Sequence, residues 1–192
     1  MRHLRHSRLL LSTLAVTLLA VPVQARAGTA DSTRGTPSTK VESSRATPRT
    51  DDERMGDEVR AQVESHRAQA RTFWEVGRMA QARREFLAAA RLMRGAGVLP
   101  TRELLDAATI ALVEERPRLA AEVMDTLAAN AAALGQPLVQ AQALLEATSQ
   151  YAAAGQNDLA TERYAVLRAL LASPHIPDSF RAEVDARILV QR

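Results

Sequence analysis

The chain has 192 residues with 25 basic and 22 acidic side chains, a formal net charge of +3 and no cysteine. The surplus is local: residues 1–27 hold four arginines and no acid, so the remainder carries 21 basic against 22 acidic groups, and residues 51–192 carry 17 against 20. That distribution excludes the concentrated basic footprint of a nucleic-acid binder, and the missing thiols exclude disulfides, so apolar burial alone must hold the fold.

At the amino end, Arg2, Arg5 and Arg8 precede an apolar run from Leu9 to Val21, broken only by Ser12, Thr13 and Thr17. Pro22 ends that run and Ala25-Arg26-Ala27 offers a small-x-small exit. A basic start, a short apolar core and a small-residue exit are the three parts of a secretory signal peptide. The core has 13 residues, whereas a membrane-spanning helix needs roughly 20. Residues 1–27 are therefore expected to be a signal peptide cleaved after Ala27, or two residues earlier after Ala25. The mature chain is expected in the periplasm or outside the cell, in a bacterial envelope, with no stable membrane anchor.

Residues 28–50 are rich in Ser, Thr, Gly and Pro, with Val41 as the only sizeable apolar side chain. Such a stretch cannot repay the entropy of ordering, which predicts a disordered linker. From residue 51 to 192, apolar residues recur at helical spacing and no segment alternates with the period of two that strands require. This predicts an all-α domain with helices near 52–76, 79–95, 101–114, 118–133, 137–154, 157–172 and 177–190. Pro100-Thr101 starts the third, and Pro174 and Pro177 break the chain before the last.

Key positions recur at a spacing of 39: Ala82, Ala121 and Ala160; Phe73, Leu112 and Tyr151; Ala70, Thr109 and Thr148. Small side chains at fixed points let helices approach closely, and large ones nearby fill the groove beside them. In residues 63–100, Phe73, Gly77, Met79, Ala82, Phe86 and Ala89 fall in the order of the tetratricopeptide motif, and Tyr151, Gly155, Ala160 and Tyr164 follow it in the third unit. The domain thus resembles the tetratricopeptide repeat family over residues 63–174. The middle unit departs, with Arg116-Pro117 in place of the turn glycine and Asp125 in place of the aromatic, so that Val123 or Met124 fills the groove after a local shift. The resemblance implies a right-handed stack of about three antiparallel hairpins, capped by a last helix through Phe180, Val184 and Ile188.

The resemblance also implies a concave face built by the first helix of each hairpin, carrying Glu64, Arg67, Arg71 and Trp74, then Asp106, Ile110 and Val113, then Leu145 and Ser149. Arg67 and Arg71, one turn apart, are the candidates to pair with a partner's carboxylate while Trp74 supplies a flat apolar contact. The competing reading makes both arginines solvated and Trp74 part of the core.

Beyond residues 1–27 the histidines are His66 and His175, on different helices, so no metal set, cofactor motif, phosphate loop or nucleophile arrangement emerges. An enzyme would have to cluster His175, Glu114 or Asp125 in a cleft without a local signature. Arg84, Arg91 and Arg94 on the second helix read as an ordinary solvent face, with contact to anionic lipid or cell-wall polymer as the alternative. The sequence therefore leads to a non-catalytic, exported interaction module that binds a protein or peptide through its repeat groove. A self-associating structural protein stands second, and an enzyme third.

Overall fold

The computed structural model describes residue 51 and residues 55–190, with side chains as far as Arg187. The expected signal peptide and linker lie outside the described residues, as do the side chains of Ile188, Leu189 and Val190. Among the described residues there are seven long helices and no strand: α1 (Asp57–Glu75), α2 (Met79–Gly95), α3 (Thr101–Val113), α4 (Pro117–Ala133), α5 (Pro137–Ala153), α6 (Asn157–Leu171) and α7 (Asp178–Val190). None of them is long and apolar enough to cross a membrane. The expected boundaries agree to within one residue except at the start of α1, which begins at Asp57 rather than 52.

Each helix from α1 to α5 packs on the next, and connections this short force neighbours to run antiparallel. The buried faces follow the 3.6-residue period: Ala82, Phe86, Ala89, Ala90 and Met93 on α2, and Ala120, Ala121, Val123, Met124, Leu127, Ala128 and Ala131 on α4. Alanines at the contacts let helix axes come close, and alanine is the commonest buried residue on both α4 and α5. Most of the core is one continuous cluster, extended by Phe180 and Val184 of α7 and Ile176 before it. Met55, Val63, Ala89, Met93 and Val98 form a second, smaller cluster at the start of the domain.

One turn geometry is used five times. Gly77, Gly97, Glu115, Gly135 and Gly155 have φ of 74°, 74°, 56°, 64° and 72°. Around each, the residue that follows donates its amide to the carbonyl five positions back: Arg78 to Phe73 (2.8 Å), Val98 to Met93 (2.9 Å), Arg116 to Ala111 (2.9 Å), Gln136 to Ala131 (2.8 Å) and Gln156 to Tyr151 (2.9 Å). This is the Schellman ending of a helix, which needs a left-handed residue and so favours glycine. Pro117 and Pro137 then occupy the first position of α4 and α5, where the missing N–H costs nothing.

These bonds correct the reading of the middle unit. Its turn position is held by Glu115, one residue before the Arg116-Pro117 expected there, so Gly77 and Glu115 are 38 apart and Glu115 and Gly155 are 40 apart. Ala111, not Leu112, is the counterpart of Phe73 and Tyr151. By the same shift Met124, 3% exposed, is the counterpart of Phe86 and Tyr164, the second of the two fillings expected for the place that Asp125 vacates.

Candidate partner-binding face on α1 and α3

The residues singled out for binding lie on α1, and the geometry around them begins with a buried acid. Glu103, in the first turn of α3, is 1% exposed. Its Oε1 accepts from Nε of Arg67 at 2.7 Å and also pairs with Nη2 of the same guanidinium. Glu103 Oε2 has no hydrogen-bond partner among the described residues. Burial of a charge is tolerable only when it is paired, and here the pairing is supplemented by the positive end of α3. Nη1 of Arg67 reaches Glu64 Oε1 at 2.5 Å, and Nη2 lies 3.6 Å from Met93 Sδ.

Arg67 is therefore committed inside the protein, as the link between α1 and α3. Arg71, one turn further on, is exposed; its only hydrogen bond among the described residues runs from Nε to the Arg67 carbonyl at 3.2 Å. Beside it Asp106 is half-buried, and burial pushes its carboxyl above the usual carboxylate range; Glu103 adds to the rise, while Arg102, at 3.9 Å, Arg71 and Arg67 oppose it. Trp74 is half-buried and meets Phe86 edge to face, with ring centroids 6.2 Å apart at 88°, so part of the indole is core and part is surface. Val113 is exposed, as expected for the face. Ile110 and Leu145 are not: both are buried in the core, because they sit where α3 and α5 turn toward their neighbours. The structure thus joins Arg67, Arg71 and Asp106 into one charged cluster and takes Ile110 and Leu145 out of the expected groove, leaving Val113 as its exposed apolar residue.

Sequence reasoning missed a second polar group. Asp125 of α4 accepts from the Tyr151 hydroxyl of α5 at 2.8 Å and from Nε of Arg163 of α6 at 2.9 and 3.0 Å. Burial and the Asp125 hydrogen bond push the Tyr151 phenol up to about 12. The available signal was an acid standing where the repeat has an apolar residue, with an arginine 38 residues later. The residues that an enzyme would have needed to cluster are each engaged separately. Glu114 pairs with Arg83 at 3.3 Å, Asp125 belongs to the bridge just described, and His175 lines a shallow depression of about 400 Å³ with Gly135, Gln136, Pro137, Leu138 and Val139. Among the described residues no group of three or more His, Asp or Glu is placed to hold a metal ion.

No protein-family model, curated protein or solved structure matches the chain.

Proposed function

We propose that the mature chain is an exported, non-catalytic interaction module that holds a peptide or protein segment against α1 and α3. The observation that carries this reading is the state of Arg71: an exposed guanidinium whose Nη groups have no hydrogen-bond partner among the described residues, three positions before a half-buried indole on the same helix. Arg and Trp in that relation supply a charge-assisted fork and a rigid apolar surface, the combination favoured at binding hot spots. Arg67 serves that face from below by fixing α1 against α3, and Arg71 and Trp74 make the contact.

The tetratricopeptide-like arrangement of stacked hairpins is part of this proposal. The evenly spaced left-handed turns support it, and so do the ion pairs that join alternate helices: Arg67 with Glu103 (α1 and α3), Arg163 with Asp125 (α6 and α4), and Arg187 with Glu146 at 2.5 Å (α7 and α5).

The test places a photo-crosslinking side chain at Trp74 and, as a control, at Thr161, an exposed position on α6. Fractionation of the host should recover a chain beginning after Ala27, or after Ala25, in the envelope. One partner should crosslink from position 74, not from 161, and disappear with Arg71→Glu. Recovery of the chain's own copies alone, equally from both positions, overturns the groove reading in favour of self-association. An uncleaved cytoplasmic chain overturns export.

A further inference from the structure

The arginines of this domain are unevenly used. Arg67, Arg83, Arg102, Arg118, Arg163, Arg181 and Arg187 all sit in ion pairs with acids. Of the exposed arginines without an acid partner among the described residues, Arg71, Arg78, Arg116 and Arg168 are scattered along the chain, whereas Arg84, Arg91 and Arg94 share one helix, α2. Glu85, the acid of that helix, points away to His66, whose Nδ1 lies 2.7 Å from its Oε2. In a domain with more acids than bases overall, one helix carries a concentrated, uncompensated positive face.

Its layout is flat. At 100° per residue, Arg84 and Arg91 stand in the middle of the exposed side of α2, about 10 Å apart along the axis, with Arg94 about a quarter turn to one side. Around them are Ala80, Ala88 and Gly95, and Leu87, which falls between Arg84 and Arg94, is packed against the core, so the guanidinium groups are little screened and no large apolar side chain stands out to insert. The structurally matching positions on the other hairpins are different: Glu122 and Ala129 on α4, Glu162 and Ala169 on α6. Repeat packing therefore does not demand these arginines.

We propose that this face of α2 docks the domain on a membrane surface bearing anionic phospholipid, through guanidinium–phosphate contacts that do not penetrate the bilayer. A single phosphate would call for a concave site with converging donors, whereas three cations spread over roughly 15 Å of exposed helix match an extended anionic plane. This surface is separate from Arg71 and Trp74, so it stands or falls independently of the partner-binding reading.

The experiment is cosedimentation of the chain from Gly28 onward, the mature form proposed above, with vesicles of phosphatidylglycerol and phosphatidylcholine, and with phosphatidylcholine alone. The variant Arg84→Gln/Arg91→Gln/Arg94→Gln is compared with Arg78→Gln/Arg116→Gln/Arg168→Gln, which removes the same charge from exposed arginines elsewhere. Residues 1–27 are absent from all three proteins, because their apolar run would bind vesicles of either kind and would not be screened by salt. Each arginine near an anionic surface is worth about fivefold in binding, so the α2 variant should bind anionic vesicles about 100-fold more weakly than wild type, and the control variant should lose far less. Wild-type binding should vanish near 1 M salt, where the screening length falls to about 3 Å. Equal losses in the two variants, or binding to neutral vesicles as tight as to anionic ones, overturn the proposal. So does competition by soluble tripolyphosphate at equal phosphate concentration, which would make the ligand a free polyphosphate. Matching thermal melts of the three proteins exclude misfolding as the cause of any loss.

Discussion

The carboxylate of Asp125 is used on both oxygens, by Tyr151 and Arg163, whereas the carboxylate of Glu103 is used on one. Both bridges tie alternate helices together, yet they are built under different conditions. Asp125 and Arg163 keep about a fifth to a quarter of their side-chain surface in water, so water shares the work of solvation. Glu103 is sealed, and everything depends on Arg67. A complete polar network rigidifies a core, while an incomplete one concentrates its cost on a single partner. The α1–α3 junction, which carries the proposed binding face, is thus the more fragile of the two.

The largest expected effect breaks that junction directly. Arg67→Ala leaves Glu103 buried and unpaired and should cost about 3–5 kcal/mol in urea unfolding. Removing both charges with Arg67→Met/Glu103→Leu should restore most of that loss, because a buried ion pair replaced by apolar side chains of similar volume is often neutral. At the other bridge, Asp125→Ala should cost about 2 kcal/mol, since Arg163 can swing into water and only the Tyr151 hydroxyl is left without an acceptor. Equal losses at the two sites would show that the orphaned oxygen of Glu103 has little consequence.

The next effect is a pH dependence confined to the Asp125 bridge. With the Tyr151 phenol pushed up to about 12 in the folded state and near 10 unfolded, the protonated hydroxyl contributes stability that is fully present below about pH 10. It is lost as pH rises toward 12. The loss over that window should be on the order of 2 kcal/mol, and Tyr151→Phe should remove this dependence while leaving the α1–α3 junction unchanged. An alkaline unfolding profile identical in wild type and Tyr151→Phe would show that the bridge does not hold the phenol.

How much of this was legible in the sequence differs between backbone and side chains. Helix ends were readable because glycine and proline mark them by local chemistry that tertiary packing does not alter: Gly77, Gly135 and Gly155 end helices, and Pro117 and Pro137 begin them. The turn at Glu115 was not readable, since a glutamate gives no hint of a φ of 56°; only the Schellman bonds reveal the one-residue shift of the middle unit. Glu115→Gly should therefore stabilise the domain, by about 1 kcal/mol, and an unchanged or lower melting temperature would show that the side chain makes up for its strain. The charged cluster was half legible. Arg67 and Arg71 were placed on one face by helical spacing, and Asp106 was added to it by the tetratricopeptide resemblance, but the partnership of Arg67 with Glu103 spans 36 residues, and no local pattern encodes it. Ile110 and Leu145 were misplaced because the resemblance supplied a face but not the neighbours that cover it in this chain.

The smallest expected effect asks whether the incomplete bridge spreads its cost to neighbouring groups. Asp106 has a folded-state carboxyl raised by burial, with Glu103 opposing the arginines that favour its charge. A raised carboxyl contributes its stability below the unfolded value near 4 and loses it as pH rises through the folded value. At neutral pH the ionised Asp106 is therefore a mild burden. Asp106→Asn should raise stability by a fraction of a kcal/mol at pH 7 and leave it unchanged near pH 3, where wild type is itself protonated. With the carboxylate gone, the attraction that holds Arg71 over the protein weakens, so an anionic partner should bind the variant at least as well as wild type. If instead Asp106→Asn destabilises the domain at pH 7, the ionised carboxylate is a working member of the cluster that holds the arginines in place, and the α1–α3 junction is better balanced than the orphaned oxygen of Glu103 implies.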